Sequence, residues 1–397
     1  MPSSIFEDAL AALNSVIDSS IALATQLDIV ISNLATLKDA RSDSNGQAQQ
    51  PLSEQLVSAS GPIDALSLAH DSAALIKAHA TKISLLIINE PFTPTAITKV
   101  LRELVAGPLP SLTAAVELCV PERYTGSIQR DLAWRAVRVL REVRELISRV
   151  PRDGKVLVDD KKNAPAGAAG GRGSIATTGM LWSTCDDVMA FCKRGFAGTL
   201  THKVNQLKDT LKDVMEELKE WGEEADDSEE DGDEDDGDGD IAQITSGLGS
   251  SSISGAADAQ SVLDDLMNSQ RHIPRDDPER IRERLDLSLK RLRLIILLYQ
   301  ATVKRRLKPL PSVPPAQYPV VPIRLDEAVA ALKRIPEKFG SLAMAFYELD
   351  RSEIDRLLED CSLDALAACE ILVKPWEGEK DEFTDWGLRF QVELKKD

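Results

Sequence analysis

The chain has 397 residues, enough for two domains of ordinary size, and 43% of them are hydrophobic, enough for a buried core. Only 4% are aromatic, and the apolar residues are mainly Leu, Ala, Ile and Val, a composition that favours helices. The formal net charge of −18 argues against a nucleic-acid-binding protein of the usual basic kind.

Cysteine usage and the absence of targeting signals indicate an intracellular protein. The five cysteines are few, odd in number and contain no CxxC pair, which is typical of reduced thiols buried in a cytoplasmic or nuclear protein. The N-terminus lacks the basic region of a secretory signal. The longest apolar run, Leu294–Tyr299, is far shorter than the ~20 residues of a membrane span. We therefore expect a soluble protein of the cytoplasm and nucleus.

The first half of the chain predicts an antiparallel bundle of about five helices. A Ser-x-x-Glu capping box at Ser4 opens the first helix, and prolines mark the starts of the next two. Gly107-Pro108 must break or kink the third. The predicted helices are 4–37, 62–89, 93–120 with that break, 127–150 and 179–221.

Composition divides the chain into four parts. We predict an N-terminal helical bundle over 1–222 with a flexible linker at 151–178, because this linker is rich in Ala, Gly and Pro. A disordered acidic and Ser/Gly-rich loop should follow over 223–256, then a smaller C-terminal helical region over 257–373. Its predicted helices are 257–270, 279–307, 325–349 with a kink at Pro336, and 352–373, with a proline-rich extended segment at 309–322. The tail 374–397, which holds Trp376 and Trp386, receives no assignment.

One stripe of apolar residues has the spacing of a coiled-coil seam. Its steps alternate between four and three residues, which averages the 3.5-residue period of such seams. Packing inside the protein's own bundle uses the same geometry and is the favoured interpretation. The alternative is a partner-binding seam. The stripe comprises Leu200, Val204, Leu207, Leu211, Val214, Leu218 and Trp221.

An acidic run begins where this stripe ends. Residues 223–240 hold thirteen carboxylates and no Lys or Arg, so like-charge repulsion should keep them solvated. The spacing does not fit a calcium-binding EF-hand loop, because position 6 lacks Gly and position 12 lacks Glu when counted from Asp231. Basic partners such as histones remain an alternative. Ser228 is a candidate phosphorylation site for an acid-directed kinase.

The predicted helix 279–308 carries ten Lys/Arg and three acids. Nucleic-acid binding is one interpretation, but an apolar face on the same helix predicts packing against a core. The nearby acidic loop could neutralise the basic face, so we expect no direct nucleic-acid binding.

Patterns of enzymes are absent from the sequence. The four histidines form no metal-binding spacing, the glycines near 170 lack the ending of a phosphate-binding loop, and there is no GxSxG. We therefore predict no catalytic residue, no metal site and no cofactor.

Two segments carry a resemblance to a known family. Thr178–Asp186, which contains Gly179, Trp182, Cys185 and Asp186, resembles the TG-x-x-W-x-x-C-D opening of a central helix in the cyclin-D-interacting (cyclin-D-binding protein 1-like) family. Leu211–Trp221 is similar to the close of that helix, which an acidic loop follows in the family. The basic helix and 325–349 are similar to its C-terminal part.

This resemblance implies an all-helical, non-enzymatic regulator of cell-cycle progression. It implies binding to D-type cyclins and to helix-loop-helix transcription factors, without the basic segment that would hold DNA. A vinculin-like or catenin-like helical scaffold and an acidic histone-type chaperone are the alternatives, and the sequence leaves the oligomeric state open.

Overall fold

The computed structural model describes residues 2–36, 63–163, 172–227, 273–274, 276–311, 314, 320–376 and 378–396. Within these ranges every regular element is helical and no strand occurs, so the predicted all-α class is confirmed. The predicted helix at 257–270 and the candidate phosphorylation site Ser228 lie outside the described residues. Most of the acidic run does too.

The helices follow the predicted order closely. Four of them begin at a proline, a position where the missing N–H removes no intrahelical bond. In chain order they are α1 (Pro2–Thr36), α2 (Ala65–Ile88), α3 (Pro94–Ala106), α4 (Pro108–Leu118), α5 (Pro121–Tyr124), α6 (Gly126–Ser148), α7 (Asp159–Asn163), α8 (Ser174–Lys193), α9 (Gly195–Asp227), α10 (Ile281–Thr302) with a π-helical turn at Val303–Leu307, α11 (Val320–Glu348), α12 (Arg351–Val373) and α13 (Glu382–Leu394).

The chain forms two compact units, and each is built from two separate segments. Unit 1 holds Met1–Lys203 and Leu307–Asp326, and unit 2 holds Val204–Arg306 and Glu327–Asp397. Helices α9 and α11 therefore contribute residues to both units. The domain borders expected from composition, at 222 and 256, fall inside unit 2, and a division into domains there stays a prediction.

Unit 1 is a bundle in which α1 packs along α6, α2 along α8, and α6 along α8. The predicted apolar face of α1 supplies fully buried side chains, among them Leu13, Ile17 and Ile31. By length and composition alone, α1 could also cross a membrane between Ser4 and Leu34, where the mean hydropathy is 1.3. The core helix of a soluble protein meets the same criterion, so this property is weak evidence for a span.

The start of α6 is capped from a distant part of the chain. The Asp326 carboxylate accepts hydrogen bonds from the backbone N–H groups of Gly126 and Ser127, the latter at 3.0 Å. The Thr125 hydroxyl accepts a third, from Ile128 N–H at 3.2 Å. These N–H groups have no partner within the helix, and a carboxylate there also suits the positive end of the helix dipole.

Part of the predicted linker 151–178 is packed and helical. The backbone N–H of Leu157 donates to the carbonyl of Ile87 at 2.9 Å, and the Leu157 side chain is buried. Helix α7 follows, and α8 begins at Ser174, five residues before the predicted start. Residues 164–171 lie outside the described ranges.

Unit 2 is held together around a buried arginine. Arg306 is 1% exposed, and its guanidinium donates to the carbonyls of Leu372 (2.7 Å) and Val373 (3.2 Å). It also pairs with Asp381, the residue that caps α13, and lies 4.3 Å from the centre of the Phe383 ring. The tail that received no assignment is therefore an ordered helix, α13, fixed to the end of α10.

Candidate functional site

The stripe on α9 faces mainly the protein interior. Leu200, Val204, Leu211 and Leu218 are fully buried and Trp221 is 3% exposed. Only Leu207 and Val214 are half-buried. The burial of five of the seven positions matches the favoured interpretation, in which the stripe packs inside its own bundle.

Aromatic contacts in unit 2 fix the end of this stripe. The Trp221 ring lies 6.0 Å from that of Phe346 and 5.5 Å from that of Tyr347, centre to centre. The Tyr347 hydroxyl donates to the Glu217 carboxylate at 2.7 Å, and burial together with this bond raises the pKa of Tyr347. Partner binding by the stripe stays a prediction, and it would require these contacts to open.

The family-motif residues on α8 hold this helix against α2. The Trp182 indole N–H donates to the Thr81 hydroxyl at 3.1 Å, and the Asp186 carboxylate pairs with the Lys77 ammonium at 2.6 Å. Residue number rises along α2 as it falls along α8, so the two helices are antiparallel. Cys185, between the two motif contacts, is fully buried. The motif residues therefore have a positional role within unit 1.

Beside these contacts, the two helices present a shared apolar surface. Leu85 lies one turn beyond Thr81 and is 51% exposed, Ile175 is 49% exposed, and the Trp182 ring is 38% exposed. Their neighbours along the surface are small. A Cβ atom added at Gly179, three residues before Trp182 on α8, would meet no atom within 4 Å, so the space beside this glycine is open. We name this surface the α2–α8 face and define it as Ala78, Leu85, Ile175, Gly179, Trp182 and Ser183.

The arginines that step along α6 are largely paired. Arg135 and Arg138 both reach Asp187 of α8, at 3.4 and 3.6 Å. Arg141 and Arg144 reach Asp28 of α1, at 3.5 and 3.7 Å. This row of arginines thus links α6 to both helices that pack beside it.

Four of the ten cations predicted on the basic helix form ion pairs with other segments of unit 2. Their partners are carboxylates of α12 and of the start of α13: Arg284 with Asp355 at 2.8 Å, Arg291 with Glu359 at 3.7 Å, Arg305 with Glu382, and Arg306 with Asp381. Internal packing accounts for these four.

The described residues offer little for catalysis. Burial raises the pKa of the Cys185 and Cys192 thiols to about 12, so neither is a thiolate nucleophile at neutral pH. Burial raises the pKa of Cys361 and Cys369 to about 12 as well. Among the described residues no three His, Cys, Asp or Glu side chains are grouped to hold a metal. A cleft of about 630 Å³ after α6 is rimmed by arginines that already pair with Asp18, Glu142 and Glu145.

Comparison with known proteins agrees with the motif on α8. Residues 69–224 match the family model described as Grap2 and cyclin-D-interacting, N-terminal. An uncharacterized protein of Schizosaccharomyces pombe (strain 972) is 28% identical over 153 residues, which are 38% of this chain and 43% of that protein. The chain thus spans less than half of that relative. The family match covers α2 to α9 almost completely and includes every motif residue on α8. Residues 69–224 are therefore similar to the N-terminal domain of the cyclin-D-interacting family.

Proposed function

We propose that this chain is a non-enzymatic regulator of cell-cycle progression that binds a D-type cyclin or a protein with a similar helical surface. The family description supports a cyclin-type partner. The matched residues 69–224 contain both helices of the α2–α8 face, and the observation that carries the proposal is the exposed apolar surface there.

The α2–α8 face has the features of a surface that receives a helix. Two antiparallel helices with small residues between larger apolar ones form a groove, and partner helices commonly bind such grooves. Trp182 contributes an exposed ring while its indole N–H is bonded to Thr81. Tryptophan is enriched among the residues that contribute most binding energy, and a ring already fixed in place loses little entropy on binding.

The α9 stripe is the second candidate surface, for helix-loop-helix factors. Its heptad spacing favours this partner class, because such factors pair through amphipathic helices. The burial of Leu211, Leu218 and Trp221 means that α9 would have to separate from unit 2 first. Residence in the cytoplasm and nucleus likewise stays a prediction.

The test uses two helical glycines with open surroundings. A Cβ atom meets nothing within 4 Å at either Gly179 of α8 or Gly340 of α11. Arginine is a better helix former than glycine, so both substitutions should preserve the fold. In a pulldown with a purified D-type cyclin, we expect Gly179→Arg to weaken capture at least ~10-fold, equivalent to about 1.4 kcal/mol, and Gly340→Arg to leave it unchanged.

Leu85→Asp should act like Gly179→Arg, and circular dichroism should show the same helix content in all three variants. Loss of capture in Leu207→Asp together with full capture by Gly179→Arg would assign the site to the α9 stripe instead. If the unmodified chain captures no D-type cyclin, the proposed function itself is refuted.

A further inference from the structure

Among the described residues, several cations on the outward side of α10 and of its π-helical turn form no ion pair. Its exposed positions recur every three or four residues and form one stripe along the helix. Within the described residues, no carboxylate lies within 4 Å of the charged groups of Lys290, Arg293 or Lys304. We name this surface the α10 outer face and define it as Asp286, Lys290, Arg293, Leu297, Gln300 and Lys304.

The charge of this face is clearly positive. Three cations stand against the single acid Asp286. Glu393 of α13 pairs with Lys396 at 2.6 Å, and the pKa of Glu393 is lowered mainly by that bond and to a smaller degree by the charge of Lys290. Leu297, at the middle of the stripe, is 47% exposed. A complementary ligand would be an anionic chain that lies along the helix.

Helix α9, which leads into an acidic segment of the sequence, packs against α10. In unit 2, the Gly222 backbone of α9 approaches the Leu285 side chain so closely that an added Cβ would overlap it. Leu285 lies on α10, about 7.5 Å before Lys290 and about 28 Å before Lys304 at 1.5 Å per residue. Helix α9 continues to Asp227, and residues 229–240 then supply nine carboxylates with no Lys or Arg.

Chain length permits the contact. Thirteen residues, 228–240, span at most about 43 Å when extended, which exceeds the distance from Leu285 to Lys304 along α10. A segment tethered this closely has an effective concentration in the millimolar range, so even weak ion pairs would be occupied. At physiological salt, the attraction between two surface charges is screened beyond about 8 Å. Several cations along the α10 outer face would nevertheless act together on one anionic segment.

We propose that the acidic segment 229–240 binds the α10 outer face of its own chain. The segment thereby covers this basic face and competes there with other anionic polymers, nucleic acids included. This inference concerns unit 2 only, and it does not depend on which partner the α2–α8 face binds.

Zero-length carboxylate–amine crosslinking of the full chain, read by mass spectrometry, tests the contact. We expect crosslinks from Lys290 and Lys304 to residues 229–240 at low salt. These crosslinks should disappear at about 1 M salt, where charge–charge interactions are screened beyond ~3 Å. Lys82 and Lys99, exposed on α2 and α3, serve as reference lysines. Crosslinks spread evenly over reference and α10 lysines would overturn the proposal.

A competition experiment gives a second, independent measurement. A fluorescent peptide with the sequence of residues 228–240 should bind a variant lacking residues 229–240 at least ~10-fold more tightly than it binds the full chain, because the tethered copy competes. Adding Lys290→Glu, Arg293→Glu and Lys304→Glu to the deletion variant should abolish peptide binding, whereas Lys82→Glu and Lys99→Glu should not. Equal peptide affinity of the full chain and the deletion variant would overturn the proposal. Equal affinity of the full chain and the deletion variant for a DNA duplex with the same net charge as the peptide would also overturn it.

Discussion

Leu211 on α9 offers a direct test of whether the heptad stripe is interior. Its side chain is 0% exposed. Replacement by alanine removes three carbon atoms, each worth about 0.8 kcal/mol of transfer free energy, and leaves a cavity that the rigid neighbours fill only in part. We therefore expect Leu211→Ala to lower the free energy of unfolding by about 3 kcal/mol, within the range of about 2–5 kcal/mol observed for buried leucines.

Leu363 on α12 is the matched control, because it is also a helical leucine of unit 2 but is 53% exposed. The same change there should cost less than about 0.5 kcal/mol. Urea unfolding followed by circular dichroism at 222 nm gives both values, and amide hydrogen exchange should show slow opening of α9. A cost for Leu211→Ala no larger than that for Leu363→Ala would refute the interior position of the stripe and favour a free seam.

Three further predictions concern the stability contributed by residues of unit 2. Arg306→Ala should lower the free energy of unfolding in urea by roughly 2–3 kcal/mol, because two carbonyls and a carboxylate lose a charged donor. Hydrogen bonding to Arg306 lowers the pKa of Asp381 from 3.8 to about 2, so its stabilising effect is complete above about pH 4 and is lost as pH falls toward 2. The melting temperature should therefore fall between pH 5 and pH 2, and Asp381→Asn should reduce this fall. An equal dependence of the melting temperature on pH in the variant would contradict this role of Asp381. Gly222→Val should lower the melting temperature, because its Cβ would overlap Leu285 at a cost of about 1–3 kcal/mol, whereas Gly340→Val, with open space, should change it little.

Local signals in the sequence account for most of the fold. Proline at the first helical position and glycine at breaks mark helix ends through backbone geometry that needs no tertiary contact. The starts at Pro94 and Pro108 are correct for this reason. Helix α13 was missed because its start depends on the capping box of Asp381 and on Arg306, which lies 75 residues earlier.

The sequence predicted less of the candidate site than of the fold. The motif on α8 identified Trp182 and Asp186, but their partners Thr81 and Lys77 lie more than 100 residues away, and no periodicity indicates such pairs. The heptad stripe has the same spacing whether its partner helix belongs to this chain or to another. Burial decides between these arrangements, and burial is a property of the folded molecule.

The cap that Asp326 places on α6 has a consequence for how this protein is made. On a ribosome, Gly126 is synthesised 200 residues before the carboxylate that completes its helix start. At a synthesis rate of about 5–20 residues per second, Asp326 is added roughly 10–40 s after Gly126. Unit 1 can therefore complete its folding only after much of unit 2 has been synthesised. A gene fragment that ends near codon 222 encodes a bundle in which the first N–H groups of α6 lack the Asp326 carboxylate.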